Sequence, residues 1–486
     1  MYSLVLLLVF LFVMVAVGVW GMKKTSTLND FFLGGRTLGP WISAFAYGTT
    51  YFSAVIFIGF AGRQGWQFGF SAILIGVGNA FLGAMLAWLV LGKRTRVMTQ
   101  RLGVMTMPEF LEARYGSNHL KMVSAVLIFV FLLPYSASVF KGLGHLFEST
   151  FGISYDFALI VLVGITGLYL ILGGYFAVTM TDFIQGFIML AGAALMVAIM
   201  VSKAGGLGSA IAAVSTRYPE HVPPASQPSW LTIGSLVFMT SFGTWGLPQM
   251  VQKFYSIKDE KMIGKAAVIT TVFALVIGVA AYSTGVLGHV FFDAGTVPRL
   301  ASGGVNYDLI IPTLLTAHLP EILLAVIMLL VLSASMSTLS SMILVSSSAI
   351  TIDLYKGYLH PEVTEKQSLL MIRVLSGVFI VCSYVISRMQ VGFIVTLMSL
   401  SWGVLSGAFM APYILGIFWR RVTKAGAYAG FFAGSGTAIT LFFVLGPANS
   451  PLASSIAMVV PFVVVPLVSL LSPRLDEKTV HEAFGA

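Results

Sequence analysis

The stretch Ser333-Ala334-Ser335-Met336-Ser337-Thr338-Leu339-Ser340-Ser341 crowds hydroxyl side chains into one apolar run, and Ser346, Ser347 and Ser348 lie a further turn on. In an α-helix, positions 334, 337, 338 and 341 follow the i, i+3, i+4, i+7 spacing and share a face, with Ser340 flanking it. Hydroxyl oxygens are hard, neutral ligands suited to a small hard cation such as sodium. Being neutral, they also release it again. The same face could instead hold neighbouring helices together by hydrogen bonds, and on the residues alone the two readings stand level. One carboxylate, Asp182 in Thr179-Met180-Thr181-Asp182, is placed inside an apolar span. An acid at membrane depth is a functional candidate; its ordinary alternative is a cap at a helix N-terminus. Asp308, Glu321 and Asp353 are assigned to loops and rims. Lys141 closes an apolar run after Tyr135-Ser136-Ala137-Ser138. It either snorkels to the interface or meets an acidic solute. No carboxylate pair, His/Glu metal spacing or Ser/His/Asp set occurs at such depth, which argues against an enzyme.

Two further segments could do chemistry through their backbone. Tyr47-Gly48-Thr49-Thr50-Tyr51-Phe52-Ser53 and Phe242-Gly243-Thr244-Trp245-Gly246-Leu247-Pro248 interrupt apolar runs with glycine, proline and uncharged polar residues. Such residues weaken helices. Irregular backbone at membrane depth is tolerated only where it is buried in protein or lines a cavity. Unwound carbonyls can coordinate a cation, and half-helix ends can face a solute. Broken helices at matching places in two halves point to an inverted-repeat transporter.

The elements that position these groups follow from composition. The chain has 486 residues, 58% hydrophobic and 9% charged, with a mean hydropathy of +0.95. Soluble domains run near ~25% charged, so a soluble enzyme, a nucleic-acid binder and a disordered linker are poor readings. A helix needs ~20 apolar residues to cross the hydrocarbon. The runs predict spans near 2–22, 41–60, 70–92, 121–141, 155–176, 181–203, 229–250, 264–290, 320–350, 369–388, 392–418, 425–445 and 452–472. The first lacks a basic n-region and is read as retained rather than as a signal peptide. With the N-terminus outside, all but six of the 27 Lys and Arg fall on the inside. The exceptions are Arg63, Lys141, Lys203, Arg217, Arg299 and Arg388. That asymmetry is the positive-inside signature, with the C-terminus cytoplasmic, so the net charge of +9 reports topology rather than nucleic acid. Lys253 is counted among the inside loop residues. Cys382 is the single cysteine, so no intramolecular disulfide forms.

These residues resemble the sodium/solute symporter family, the relatives of the sodium/proline, sodium/pantothenate and sodium/sialic-acid symporters. The resemblance is carried by Asp30-Phe31-Phe32-Leu33-Gly34-Gly35-Arg36, by Met107-Pro108-Glu109-Phe110-Leu111-Glu112-Ala113-Arg114-Tyr115 and by Leu146-Phe147-Glu148-Ser149-Thr150-Phe151-Gly152. Gly173-Gly174-Tyr175-Phe176-Ala177-Val178 with Thr181-Asp182, Met336-Ser337-Thr338 and Asp353-Leu354-Tyr355 add to it. It implies an all-α polytopic membrane protein of about thirteen helices with a leucine-transporter-like inverted repeat of five plus five. The repeats would cover 41–203 and 229–418, after a first helix and inner loop in 1–40. Two C-terminal helices in 425–472 and a cytoplasmic tail in 473–486 would follow.

The resemblance further implies a sodium ion held by the carbonyls of Thr49, Phe52 and Ala334 and the hydroxyls of Ser337 and Thr338. As in sialic-acid transporters, a second sodium would lie among Ser337, Ser340, Ser341 and Asp182. For the solute it points to Tyr51, Ser53, Tyr135, Thr240, Thr244, Trp245 and Pro248, with Lys141 as the nearby charge. Proline transporters carry an Asp where this chain has Tyr51 and a Trp where it has Val55. They carry aromatic residues where this chain has Thr240 and Thr244, so their pocket is not reproduced. The expectation is sodium-coupled uptake of a small carboxylate, amino acid or pantothenate-like solute through the plasma membrane. No nucleic acid and no obligate protein partner are indicated. The rivals are a proton-coupled or uncoupled carrier of the same fold, with Asp182 as the proton site, and then a sensor or channel.

Overall fold

Apolar side chains are exposed over much of the molecular surface. Phe12, Phe157, Phe187, Leu370, Val374, Phe443, Val463 and Leu471 all point outward, which only a hydrocarbon solvent accommodates. The computed structural model describes residues 2–22, 28–293 and 295–485, with side chains undescribed at 2–4, 21, 22, 28, 165–174 and 225. Lys23 and Lys24, two basic residues of the sidedness argument, lie outside the described residues. No strand occurs among the described residues. The elements are α1 (Tyr2–Met22), α2 (Pro40–Tyr51), α3 (Val55–Arg101), α4 (Asn118–Phe151), α5 (Tyr155–Lys203), α6 (Trp230–Phe242) and α7 (Pro248–Ser256). They continue with α8 (Glu260–Phe291), α9 (Tyr307–His318), α10 (Glu321–Leu359), α11 (Glu365–Arg388), α12 (Ile394–Phe418), α13 (Lys424–Leu445) and α14 (Ser450–Leu471). Among the described residues, 9 helical runs are long and apolar enough to cross a membrane.

Two helical stretches, α2–α3 and α5, each pass through the protein twice. Leu38 pairs with Ile257 and Arg96 donates to the Ile257 carbonyl, which puts both ends of the α2–α3 stretch on one face. Between them Gln67 donates to the Tyr307 hydroxyl at 3.1 Å and accepts from Tyr218 at 2.8 Å on the opposite face. The chain therefore reverses at Gly69, whose φ of 53° belongs to the left-handed region that glycine enters without strain. In α5, Tyr155 meets Ser387 at 3.1 Å, Tyr175 meets Ser256 at 2.9 Å on the other face, and Lys203 is back beside His318. So α5 is also two passages. The chain stays helical through 177–180, where the sequence suggests a boundary between spans. That segment is helical because the Thr179 and Thr181 hydroxyls donate to the Phe176, Ala177 and Val178 carbonyls, which satisfies them within the helix.

The interruptions foreseen in the sequence are real breaks. Helix α2 ends at Tyr51, Phe52 is extended at φ −110°, ψ 122°, and helical structure resumes as a π-turn over Val55–Phe60. After α6 the chain makes a tight turn through Gly243–Trp245 and an extended Leu247 before Pro248 opens α7, where its missing N–H costs nothing. The two breaks touch: Tyr51 donates to the Thr240 carbonyl at 2.7 Å and Tyr47 to the Thr244 hydroxyl at 3.3 Å. Helices α10 and α12 run through the interior behind them.

Close helix approach fixes this arrangement. A Cβ on Gly285 of α8 would stand 1.8 Å from the Ala61 carbonyl oxygen of α3, and one on Gly65 would stand 2.4 Å from the Gly285 backbone. The contact is backbone on backbone and cannot be relieved by a rotamer change. Gly285→Ala is therefore expected to cost at least the ~1–3 kcal/mol of an overpacked core and to lower the melting temperature of the purified protein. Gly208→Ala, where a Cβ meets nothing within 4 Å, should leave it in place.

Candidate ion and solute site

The break in α2 frees carbonyl oxygens, and α10 supplies what faces them. The Thr338 hydroxyl lies 3.3 Å from the Thr49 carbonyl, 3.1 Å from that of Thr50 and 3.1 Å from that of Ala334. A hydroxyl has one proton to give, so three carbonyl oxygens converge on a single donor. The Ala54 amide, which a continuous helix would turn back on Thr50, donates instead to Ser335 Oγ at 3.0 Å. Ser337 is fully buried and its hydroxyl has no hydrogen-bond partner. A buried hydroxyl without a partner, beside under-satisfied carbonyls, is a donor set that a small cation completes. The structure thus brings Thr49, Ala334 and Thr338 to one place, with Ser337 the neighbouring residue on α10 and Phe52 buried at the break itself. The residues fit a sodium ion there.

The second set does not fit a free ion. Asp182 is fully buried beside Ser337, with neither carboxylate oxygen in a hydrogen bond. Lys253 of α7 is equally buried: its Nζ lies 3.0 Å from Ser341 Oγ, 3.7 Å from Asp182 Oδ2 and 5.0 Å from the centre of the Tyr175 ring. Ser341 is also bound to Thr50 at 3.0 Å, and Ser340 donates at 2.5 Å to the Met336 carbonyl of its own helix. An ammonium therefore stands among the oxygens proposed from the sequence for a second sodium. The assignment of Lys253 to an inside loop is corrected. The helix does not end near residue 250 but continues in α7 to Ser256, and this puts the lysine on its inward face. Two acids assigned to rims are likewise buried: Asp353 accepts from Thr106 at 2.7 Å and Asp308 pairs with Lys141.

Directly beside the α2 break is a small cavity of about 20 Å³ lined by Tyr51, Phe52, Ser53, Asn79, Tyr135, Thr240, Tyr282, Met398 and Trp402 among others. Four residues picked from the sequence, Tyr51, Ser53, Tyr135 and Thr240, meet on it. Thr244, Trp245, Pro248 and Lys141 do not. Thr244 bonds the Gly83 and Ser241 carbonyls, Trp245 Nε1 bonds the Leu82 carbonyl, and Pro248 lines a separate cavity with Asp353 and Tyr255. The walls are aromatic: Tyr51 stacks on Phe52 with centroids 4.4 Å apart, and Tyr135 meets Trp402 edge-on at 5.7 Å. Asn79 accepts from Thr240 at 2.7 Å. Trp402 Nε1 is buried without a hydrogen-bond partner, with the Tyr135 hydroxyl close to it and to Ser53. Asn79, Tyr282, Met398 and Trp402 were missed in the sequence, where each sits in an unremarkable apolar run.

The profile of the sodium:solute symporter family matches residues 31–434. The chain belongs to the sodium:solute symporter family. It is similar to the high-affinity proline transporter PutP of Bacillus subtilis, at 31% identity over 88% of this chain and 89% of that one. The osmoregulated proline transporter OpuE of the same organism is 30% identical over 91% and 89%, and a sodium/proline symporter of Staphylococcus aureus 31% over 89% and 84%. In structure it is similar to a substrate-bound, outward-open Na+-coupled sialic acid symporter, with TM-score 0.82 and 18% identity over 98% of each chain. The closed, bromovinylhydantoin-bound transporter Mhp1 gives 0.53 at 15% identity, over 93% and 97%. These likenesses establish the leucine-transporter-like fold. The protein is a multi-pass membrane symporter that couples sodium to a small organic solute.

Polar contacts tie helices together toward each of this symporter's two faces. On one, Lys141 Nζ lies 3.0 Å from Asp308 and 2.6 Å from the Gly392 carbonyl, tying α4 to α9 and the start of α12. On the other, Arg36 donates to Tyr255 O at 3.3 Å, Thr99 O at 3.3 Å and Val104 O at 2.5 Å. Burial, with Arg96 nearby, pushes Arg36 down to about 10, so it remains cationic at neutral pH. Removing one partner of a buried pair strands the other charge at a cost of ~3–5 kcal/mol. Lys141→Met and Asp308→Asn should each lose stability on that scale by thermal unfolding. The double variant should lose clearly less than the sum, and an additive result would refute the pairing.

Proposed function

We propose that one sodium ion binds where α2 crosses α10, on the carbonyls of Thr49, Phe52 and Ala334 and the hydroxyls of Ser337 and Thr338. The observation that carries this is the convergence of three carbonyl oxygens on the one proton of Thr338. Phe52 and Ser53 belong to both the break and the cavity, so ion and solute would share a wall. The cavity lining holds no ionised side chain. A solute carboxylate would find its counter-charge in the neighbouring sodium and a donor in Trp402 Nε1. An ammonium or apolar end would rest on the faces of Tyr51, Tyr135 and Trp402. The solute class is therefore a small carboxylate or amino acid. Proline, which the relatives' names carry, belongs to that class, and Tyr51, Val55 and Thr240 on the cavity wall argue for a preference of this chain's own.

Sodium would hold the α2 break against α10 and so favour the arrangement in which the solute wall is complete. Coupling is then the difference in each ligand's affinity for the two arrangements. The basic face around Arg36 and Arg96 would be cytoplasmic in the plasma membrane, with the N-terminus outside and the C-terminus inside.

A ligand of the native state stabilises it by about 2.7 kcal/mol at a hundredfold its dissociation constant. Titrating sodium into choline buffer should raise the melting temperature saturably in wild type and not in Thr338→Ala; equal shifts in both would remove the site. Trp402→Phe keeps the ring and deletes the donor. It should weaken half-saturation for the transported carboxylate about tenfold, the worth of one hydrogen bond to a charge, while leaving the sodium shift intact. Proline, other small amino acids and pantothenate are the solutes to screen.

A further inference from the structure

Lys253 is a cation delivered to the centre of the transport unit by the second broken helix. Helix α7 begins at Pro248 and has only nine residues, and its interior face carries Lys253 to full burial. Everything the ammonium meets favours positive charge: the Asp182 carboxylate at 3.7 Å, the Ser341 hydroxyl at 3.0 Å and the face of Tyr175 at 5.0 Å. Ser341 continues through its 3.0 Å contact to Thr50, whose carbonyl is one of those around Thr338. The tethered cation and the candidate sodium site are thus linked by one serine and one threonine. Asp182 and Ser341 both face the ammonium, and a free cation placed between them would be repelled by it.

We propose that the Lys253 ammonium takes the place of a second sodium ion, so that the symporter binds a single sodium per cycle beside a built-in cation. The inference rests on the sodium site proposed at Thr338. It adds that Asp182 is neutralised by the chain itself and that Lys253 sets the ion stoichiometry. A positively charged side chain on α7 also bonds that half-helix to α5 and α10 at all times, a tie that an exchangeable ion would make only when bound.

The experiment is sodium-22 binding to purified protein in detergent, read as ions per chain and as the Hill coefficient. Wild type should bind one ion with a coefficient of about 1, and Lys253→Arg should do the same. Lys253→Met and the smaller, hydroxylated Lys253→Ser leave Asp182 without a counter-charge. They should bind a second ion, with the coefficient rising toward 2. Adding Asp182→Asn to either variant should return the count to one. Two ions in wild type, or a count unchanged in both neutral variants, would overturn the proposal. Thr338→Ala keeps the two readings apart: it should take wild type from one ion to none and leave one ion in Lys253→Ser. Wild type that binds no sodium at all would refute the Thr338 site, and this proposal with it.

Discussion

A backbone carbonyl in hydrocarbon must find a partner within the protein, because no water is there to supply one. The break after Tyr51 leaves the Thr49 and Thr50 carbonyls without helix partners, and much of the interior is arranged around that fact. The serine- and threonine-rich face of α10 lies against the break, so that Thr338 covers the carbonyls and Ser335 takes the displaced Ala54 amide. An α10 of leucine alone would fill the same volume and leave the break unsatisfied, at several kcal/mol per group. The partial satisfaction that remains, one proton for three oxygens, is what makes the place hospitable to an ion.

The buried charges obey the same rule. Lys253 faces Asp182, Lys141 faces Asp308, and Lys121 lies 2.8 Å from Glu112 on the face that also holds Asp353. Such pairs contribute little net stability compared with apolar packing. Their value lies in position. Each joins different helices, among them α4 with α9 on one face and α7 with α5 and α10 at the centre.

In the proposed reading, coupling and solute choice are carried by different atoms. The ion site is built mainly from backbone oxygens and short hydroxyls, which leave little room for variation in size or charge. The solute cavity is walled by side chains such as Tyr51, Asn79, Tyr282 and Trp402. Relatives could therefore share the crossing of α2 and α10 while their pockets differ. The break is the joint between the two functions, since Phe52 and Ser53 serve both.

Local features were legible without a structure because the bilayer imposes a simple rule. Runs of about twenty apolar residues must cross, glycine and proline must weaken the runs they interrupt, and the hydroxyls of 334–341 must share a face at helical spacing. From these came the all-helical membrane architecture, the paired breaks and the hydroxyl face of α10, while the ion set proposed across α2 and α10 was implied by the family resemblance. What hydropathy could not give was which face of a short half-helix turns inward. Lys253, read as a loop residue, is a core cation because α7 continues past the break. Asp308 and Asp353 are buried because Lys141 and Thr106, distant in sequence, come to meet them. Trp402, Asn79 and Tyr282 line the cavity, while Thr244, Trp245 and Pro248 do not, for the same reason. Spacing along one helix is a property of the chain, but a pocket wall is a contact among helices far apart in sequence, and only tertiary packing decides it.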